Sequence, residues 1–168
     1  NIDLTAQGTI DWAHWGLNGL AFDHKAGATL HITDLVATAG GSKVQIGNSN
    51  SGFSWSDGTP DATASATTTA VSVAGLGKGL EFTAPADTTA RLLYVYVGAS
   101  NATGQLSAHL SDGSSVPFTS TTLDNSVGGV TTAVYVIDYK AGSTGQSLIV
   151  DFTETVDHGS GSVSIGGA

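Results

Sequence analysis

The 168-residue chain contains no cysteine and no methionine. Without cysteine there are no disulfides, no thiolate metal sites and no cysteine nucleophile. Charge is scarce as well. Charged residues make up 11% of the chain, and five basic side chains stand against fourteen acidic ones, a formal net charge of -9. Lys25, Lys43, Lys78, Arg91 and Lys140 are scattered. They form no basic cluster able to displace counterions from phosphates, so nucleic acid is excluded as a partner. The same negative balance disfavours anionic membranes and strongly acidic polysaccharides. No apolar run reaches the roughly 20 residues of a membrane span. Neutral ligands and cations remain. The strong helix formers Glu, Lys, Arg and Gln are also few, which argues against a helical protein.

Gly (23 residues), Thr (22) and Ser (19) are abundant, and hydrophobic residues reach 40%. That is enough apolar content to build a core. Gly, Ser and Thr favour turns and extended backbone over helix. An all-β chain follows, read as one domain over residues 1–168 because domains commonly run about 100–200 residues. The chain begins at Asn1 with neither Met nor an apolar leader, which reads as a processed or excised fragment. Low charge with much Ser and Thr suits an extracellular bacterial protein, secreted or on the cell surface.

Alternating segments punctuate the chain. Residues 29–36 (TLHITDLV) read as a half-buried strand. Residues 91–97 (RLLYVYV) are apolar on both faces and read as a central strand, with 105–110 as its hairpin partner across a turn at 100–104. Further strands are expected at 132–139, 146–153 and 162–165, and a polar edge strand within 62–70. Asp57-Gly58 and Asp112-Gly113 mark turns. A spacing of about 10–15 residues between strand centres suits an antiparallel β-sandwich of jelly-roll type.

All three tryptophans lie in two short segments, 11–16 (DWAHWG) and 53–58 (FSWSDG). On a strand, Trp12 and His14 point one way and Trp15 the other. One of Trp12 and Trp15 is therefore expected in the core and the other at the surface. An exposed indole stacks on the C–H face of a sugar ring, while His and Asp bind its hydroxyls. Trp12, His14, Trp15, Trp55 and Asp57 are accordingly the expected ligand-binding residues, against the competing reading that the indoles fill the core. His14, His24, His31, His109 and His158 show no metal-ligand spacing, which argues against zinc. Asp57 and Asp61, on one tight loop, are the expected carboxylates of a calcium site. No Gly-x-Ser-x-Gly elbow or His-Glu-x-x-His pattern occurs, so no enzyme is expected.

Residues 8–16 (GTIDWAHWG), 53–60 (FSWSDGTP), 84–88 (APADT), 94–98 (YVYVG), 106–114 (LSAHLSDGS) and 145–148 (GQSL), taken in order, span most of the chain. Together they resemble a module that recurs in exported bacterial proteins and looks like jelly-roll carbohydrate-binding domains. The resemblance implies a domain appended to secreted enzymes or surface proteins, and it carries no ligand residue across.

Two functions follow as expectations. The first is a non-catalytic module binding a neutral polysaccharide through tryptophan platforms. The second is an extracellular structural protein, an adhesin domain or fibre subunit that self-assembles by pairing strand edges.

Overall fold

The computed structural model describes residues 1–168. Strands hold 57% of the chain and a single helical turn 2%. The elements are β1 (Ile2–Asp3), α1 (Leu4–Gln7), β2 (Ala13–Trp15), β3 (Phe22–Lys25), β4 (Val36–Thr38), β5 (Val44–Ile46), β6 (Phe53–Trp55), β7 (Gly58–Thr59), β8 (Ala64–Thr67), β9 (Ala70–Ala74), β10 (Gly79–Ala86), β11 (Arg91–Leu110), β12 (Phe118–Asn125), β13 (Thr131–Tyr139) and β14 (Gln146–Gly167). No helix is long and apolar enough to cross a membrane.

Two strands of 20 and 22 residues, β11 and β14, pair antiparallel along most of their length. On its other side β11 pairs first with β13, through residues 91–99, and then with β12, through residues 102–108. The far side of β14 is likewise shared, by β10 at residues 146–153 and by β9 at residues 162–165. The long strands thus serve two half-sheets, with register shifts between Ser100 and Ala102 and between Thr103 and Gly104 where one half becomes the other. The buried positions on β11 change parity there, from Leu93, Val95 and Val97 to Leu106, Ala108 and Leu110. On β14 they change from Leu148, Val150 and Phe152 to Val163 and Ile165. Bulges that let strands turn a corner between sheets do this in β-sandwiches. Both halves contribute to one core of 27 buried residues. The fold is an all-β, largely antiparallel sandwich, as the composition indicated.

Two expectations at strand level need correction. The turn expected at 100–104 is a bulge inside β11, with Asn101 at φ 46°, and 105–110 continues the strand that begins at Arg91 instead of folding back on it. Residues 29–35 form no strand. Their backbone donors go elsewhere: Ile32 N–H to the Asp11 carboxylate at 2.7 Å and Thr33 N–H to the Thr83 carbonyl at 3.0 Å. Ile32 and Leu35 still reach the core, which accounts for the alternation without a ladder.

A second, three-stranded sheet of order β1-β6-β8 lies over part of the outer face. Between it and the main sheet sits a smaller apolar cluster of Leu4, Trp12, Phe53, Trp55 and Tyr96.

Candidate functional site

β2 pairs with β3 and with the end of β14, and its two faces point into different cores. Ala13 and Trp15 enter the large core, while Trp12 joins the small one. The alternation expected from sequence holds, but both faces are covered. Trp12 and Trp15 are fully buried and Trp55 is 3% exposed. Trp12 and Trp55 meet at 5.2 Å between ring centroids, and Trp15 packs on Phe82 at 5.2 Å. The three indoles are core residues and none presents a platform to solvent; the layer formed by β1, β6 and β8 covers the face expected to be open.

His14 is likewise fully buried, against Phe53 and Trp55. Burial, only partly offset by the Thr69 backbone, lowers its pKa from 6.5 to about 4, so it stays a neutral ring inside the protein. It is not placed to bind a ligand hydroxyl. Asp57 is occupied by the fold itself. Its carboxylate accepts from Thr5 Oγ1 at 2.5 Å and Trp12 Nε1 at 3.0 Å, and it pairs with Lys25 Nζ at 2.5 Å. Against partial desolvation, these donors hold its carboxyl below the usual range. Asp61 Oδ2 accepts from Asn18 at 2.9 Å. The two carboxylates expected to hold calcium are thus each engaged by donors of the chain itself, Asp57 by Lys25 and Asp61 by Asn18.

An opening lies where the small layer stops. Side chains at 93, 95 and 97 of β11 enter the large core, so those at 92, 94 and 96 face outward. Tyr96 is covered: its ring lies 5.4 Å from Phe53 and its hydroxyl donates to Gln7 Oε1 at 2.6 Å. Tyr94 is half-buried and Leu92 exposed. Beyond the cover these residues floor a cleft of about 580 Å³. Gln7, Thr9, Ile10 and Asp11 line it together with Leu30 and Ile32, and Ala84, Pro85, Arg91, Asp138 and Tyr139 complete the lining. Asp138 stands directly opposite Leu92 and Val136 opposite Tyr94 in the register with β13. The apolar floor therefore continues onto exposed Val136 and Val134.

The polar rim is partly fixed and partly free. Tyr139 donates its hydroxyl to the Pro85 carbonyl at 3.0 Å, and burial raises its pKa. Arg91 donates to the same carbonyl at 3.1 Å and to Asp87 at 2.6 Å. These bonds tie the ends of β10, β11 and β13 into a rigid wall. Thr9, Tyr94 and Asp138 line the cleft and spend no side-chain hydrogen bond on the rest of the chain. A floor of aromatic and aliphatic groups with a few polar groups at the edge is the usual make-up of a small-molecule site, and the volume lies in the usual range. No spacing rule points to this cleft, because its residues come from five separate segments. The only sequence signal was the block 91–97 with its two outward tyrosines.

Asp11, at the cleft wall, has a carboxyl raised above its ordinary range by burial, against the Ile32 hydrogen bond. Two of the five histidines, His24 and His31, come together beside it, although nothing in their spacing suggested it.

Comparison by sequence finds no family model and no curated protein that matches this chain. Among solved structures, the chain is similar to the enzymatically active domain of tailspike protein 4 from bacteriophage CBA120. The TM-score is 0.46 and the identity 11%, over 82% of this chain and 18% of that one. It is also similar to TmCBM61, solved in complex with β-1,4-galactotriose, with TM-score 0.40 and 10% identity over 83% of this chain and 86% of that one. The chain spans less than a fifth of the tailspike domain. Neither likeness assigns a ligand or a residue role here.

Proposed function

We propose that the cleft between residues 7–11 and the end of β13 binds a neutral glycan without catalysis, as an exported recognition module. The observation that carries this reading is the outward face of β11. Leu92 and Tyr94 give a flat apolar floor for a pyranose C–H face, and Asp138, Thr9 and the Tyr94 hydroxyl stand free at its edge for sugar hydroxyls. The platform is thus tyrosine and leucine, in place of the buried tryptophans. The net charge of -9 favours uncharged chains over acidic ones.

A glycan array followed by affinity electrophoresis in neutral polysaccharides tests this. Tyr94→Ala and Asp138→Ala should each abolish retardation while the folded spectrum persists. Retardation that survives both substitutions would place the sugar elsewhere, and release of reducing ends from the bound polysaccharide would overturn the non-catalytic part.

A second reading has its own observation. β13 pairs only with β11, so a nine-residue strand carrying one charge, with Val134 and Val136 exposed, leaves its other edge open. Such edges invite strand addition between copies. Concentration-dependent assembly that Val136→Lys prevents would favour a fibre or adhesin subunit; a monomer at all concentrations would exclude it.

A further inference from the structure

We propose that Asp11, His24 and His31 form a binding site for a divalent transition metal, with Zn²⁺ the best match. One ligand atom from each of the three lies within 4.8 Å of the others. The rings of His24 and His31 meet edge to face at 5.1 Å. They come from different places: Asp11 precedes β2, His24 lies on β3, and His31 sits in the non-strand segment before β4.

Two features go beyond proximity. The Asp11 side chain is 5% exposed and its Oδ2 accepts from Ile32 N–H at 2.7 Å, yet its Oδ1 is buried and receives no hydrogen bond of good geometry, the Trp12 backbone being the other donor near the carboxylate. His31 Nδ1, at 4.0 Å from Oδ2, is too far to donate to it. A buried carboxylate oxygen without a well-aligned donor is uncommon in native proteins and asks for a missing partner. His24 supplies the other feature. Its Nδ1 lies 3.3 Å from the Lys25 carbonyl. Donation there fixes the tautomer that leaves Nε2 with its lone pair free, the arrangement that orients metal-binding histidines.

Two imidazoles and one carboxylate select a borderline ion such as Zn²⁺ over Ca²⁺ or Mg²⁺, which prefer oxygen throughout. Zinc bonds of roughly 2.0–2.1 Å place tetrahedral ligand atoms about 3.3 Å apart, so separations within 4.8 Å need close by at most about 1.5 Å. His31 can supply that movement, because its side chain is 47% exposed and its segment belongs to no sheet. Three protein ligands leave the fourth position to water. The ion would also fasten the segment bearing Leu30 and Ile32, part of the cleft lining, to the strands behind it.

The test uses the full chain, stripped with chelator and titrated with ZnCl2 by calorimetry, with thermal melting in parallel. One equivalent should bind and raise the melting temperature, and Co²⁺ should give the visible absorption of a tetrahedral site. His31→Ala should weaken binding on the order of 100-fold and leave the metal-free melting temperature unchanged. Asp11→Asn should also weaken binding while keeping an oxygen for Ile32. His158→Ala, removing a surface histidine paired with Asp124 at 2.8 Å, should change nothing. Absence of binding, or binding that survives His31→Ala or disappears with His158→Ala, overturns the site.

Discussion

Acidification should expose the cost of burying His14. The ring lies 5.2 Å from Phe53 and 5.0 Å from Trp55, and neither of its nitrogens makes a hydrogen bond of good geometry. Above pH 6.5 the ring is neutral in both folded and unfolded chains, and its packing contribution is intact. Below pH 6.5 the unfolded chain takes a proton, whereas the folded protein does so only near pH 4. Stability therefore falls across that window as pH drops. A lowering from 6.5 to about 4 corresponds to a loss of about 3 kcal/mol at its fullest, or about 6–12 °C in melting temperature for a protein of this size. Burial raises the carboxyls of Asp11, Asp23 and Glu154. Those groups act oppositely, since the folded state takes their protons first. The wild-type profile sums both trends, so the assay is a difference. His14→Phe keeps a ring among rings, gives up only the poorly aligned approach to the Thr69 backbone, and cannot titrate. Urea midpoints measured from pH 7 to pH 4 should diverge, with the wild type losing stability relative to the variant. Parallel curves would refute the assignment of a neutral buried ring to position 14.

Trp55→Ala should cost about 3–5 kcal/mol through the cavity it leaves in the small core, and sugar binding per folded molecule should be unchanged; calorimetric melting with affinity electrophoresis checks both. At Gly104 an added Cβ would lie 2.2 Å from the Phe152 ring, so Gly104→Ala should destabilise by about 1–3 kcal/mol, measured by urea unfolding; a neutral result would mean that Phe152 has room to move. Lys25→Ala should cost about 1 kcal/mol or less, because the pair with Asp57 is partly exposed and Thr5 and Trp12 still donate to the carboxylate.

The layers of the sandwich were legible where alternation is local. RLLYVYV announced a strand apolar on both faces, and DWAHWG carried the division of Trp12 and His14 from Trp15. What local pattern could not carry was the cover over each face. The second sheet brings β1 beside β6 across about fifty residues, and only that pairing turns Trp12 from a candidate surface group into a core one. The bulge at Asn101 was hidden for a related reason. NATG reads as a hairpin turn in isolation, and the choice between turning back and continuing rests on β14 running alongside both halves. The cleft and the Asp11–His24–His31 trio stayed invisible because their residues are gathered by the fold from separate segments, and spacing rules see only neighbours in sequence.

The sealing of all three indoles has a practical consequence for spectroscopy. Trp12 and Trp55 emit from the small core and Trp15 from the large one, so intrinsic fluorescence should be blue-shifted and should red-shift on unfolding of either layer. A sugar settling on Leu92 and Tyr94 would touch none of these fluorophores. Tryptophan emission is therefore a reporter of whether the two layers are closed, and a flat emission titration with glycan is the expected signal of a filled cleft as much as of an empty one.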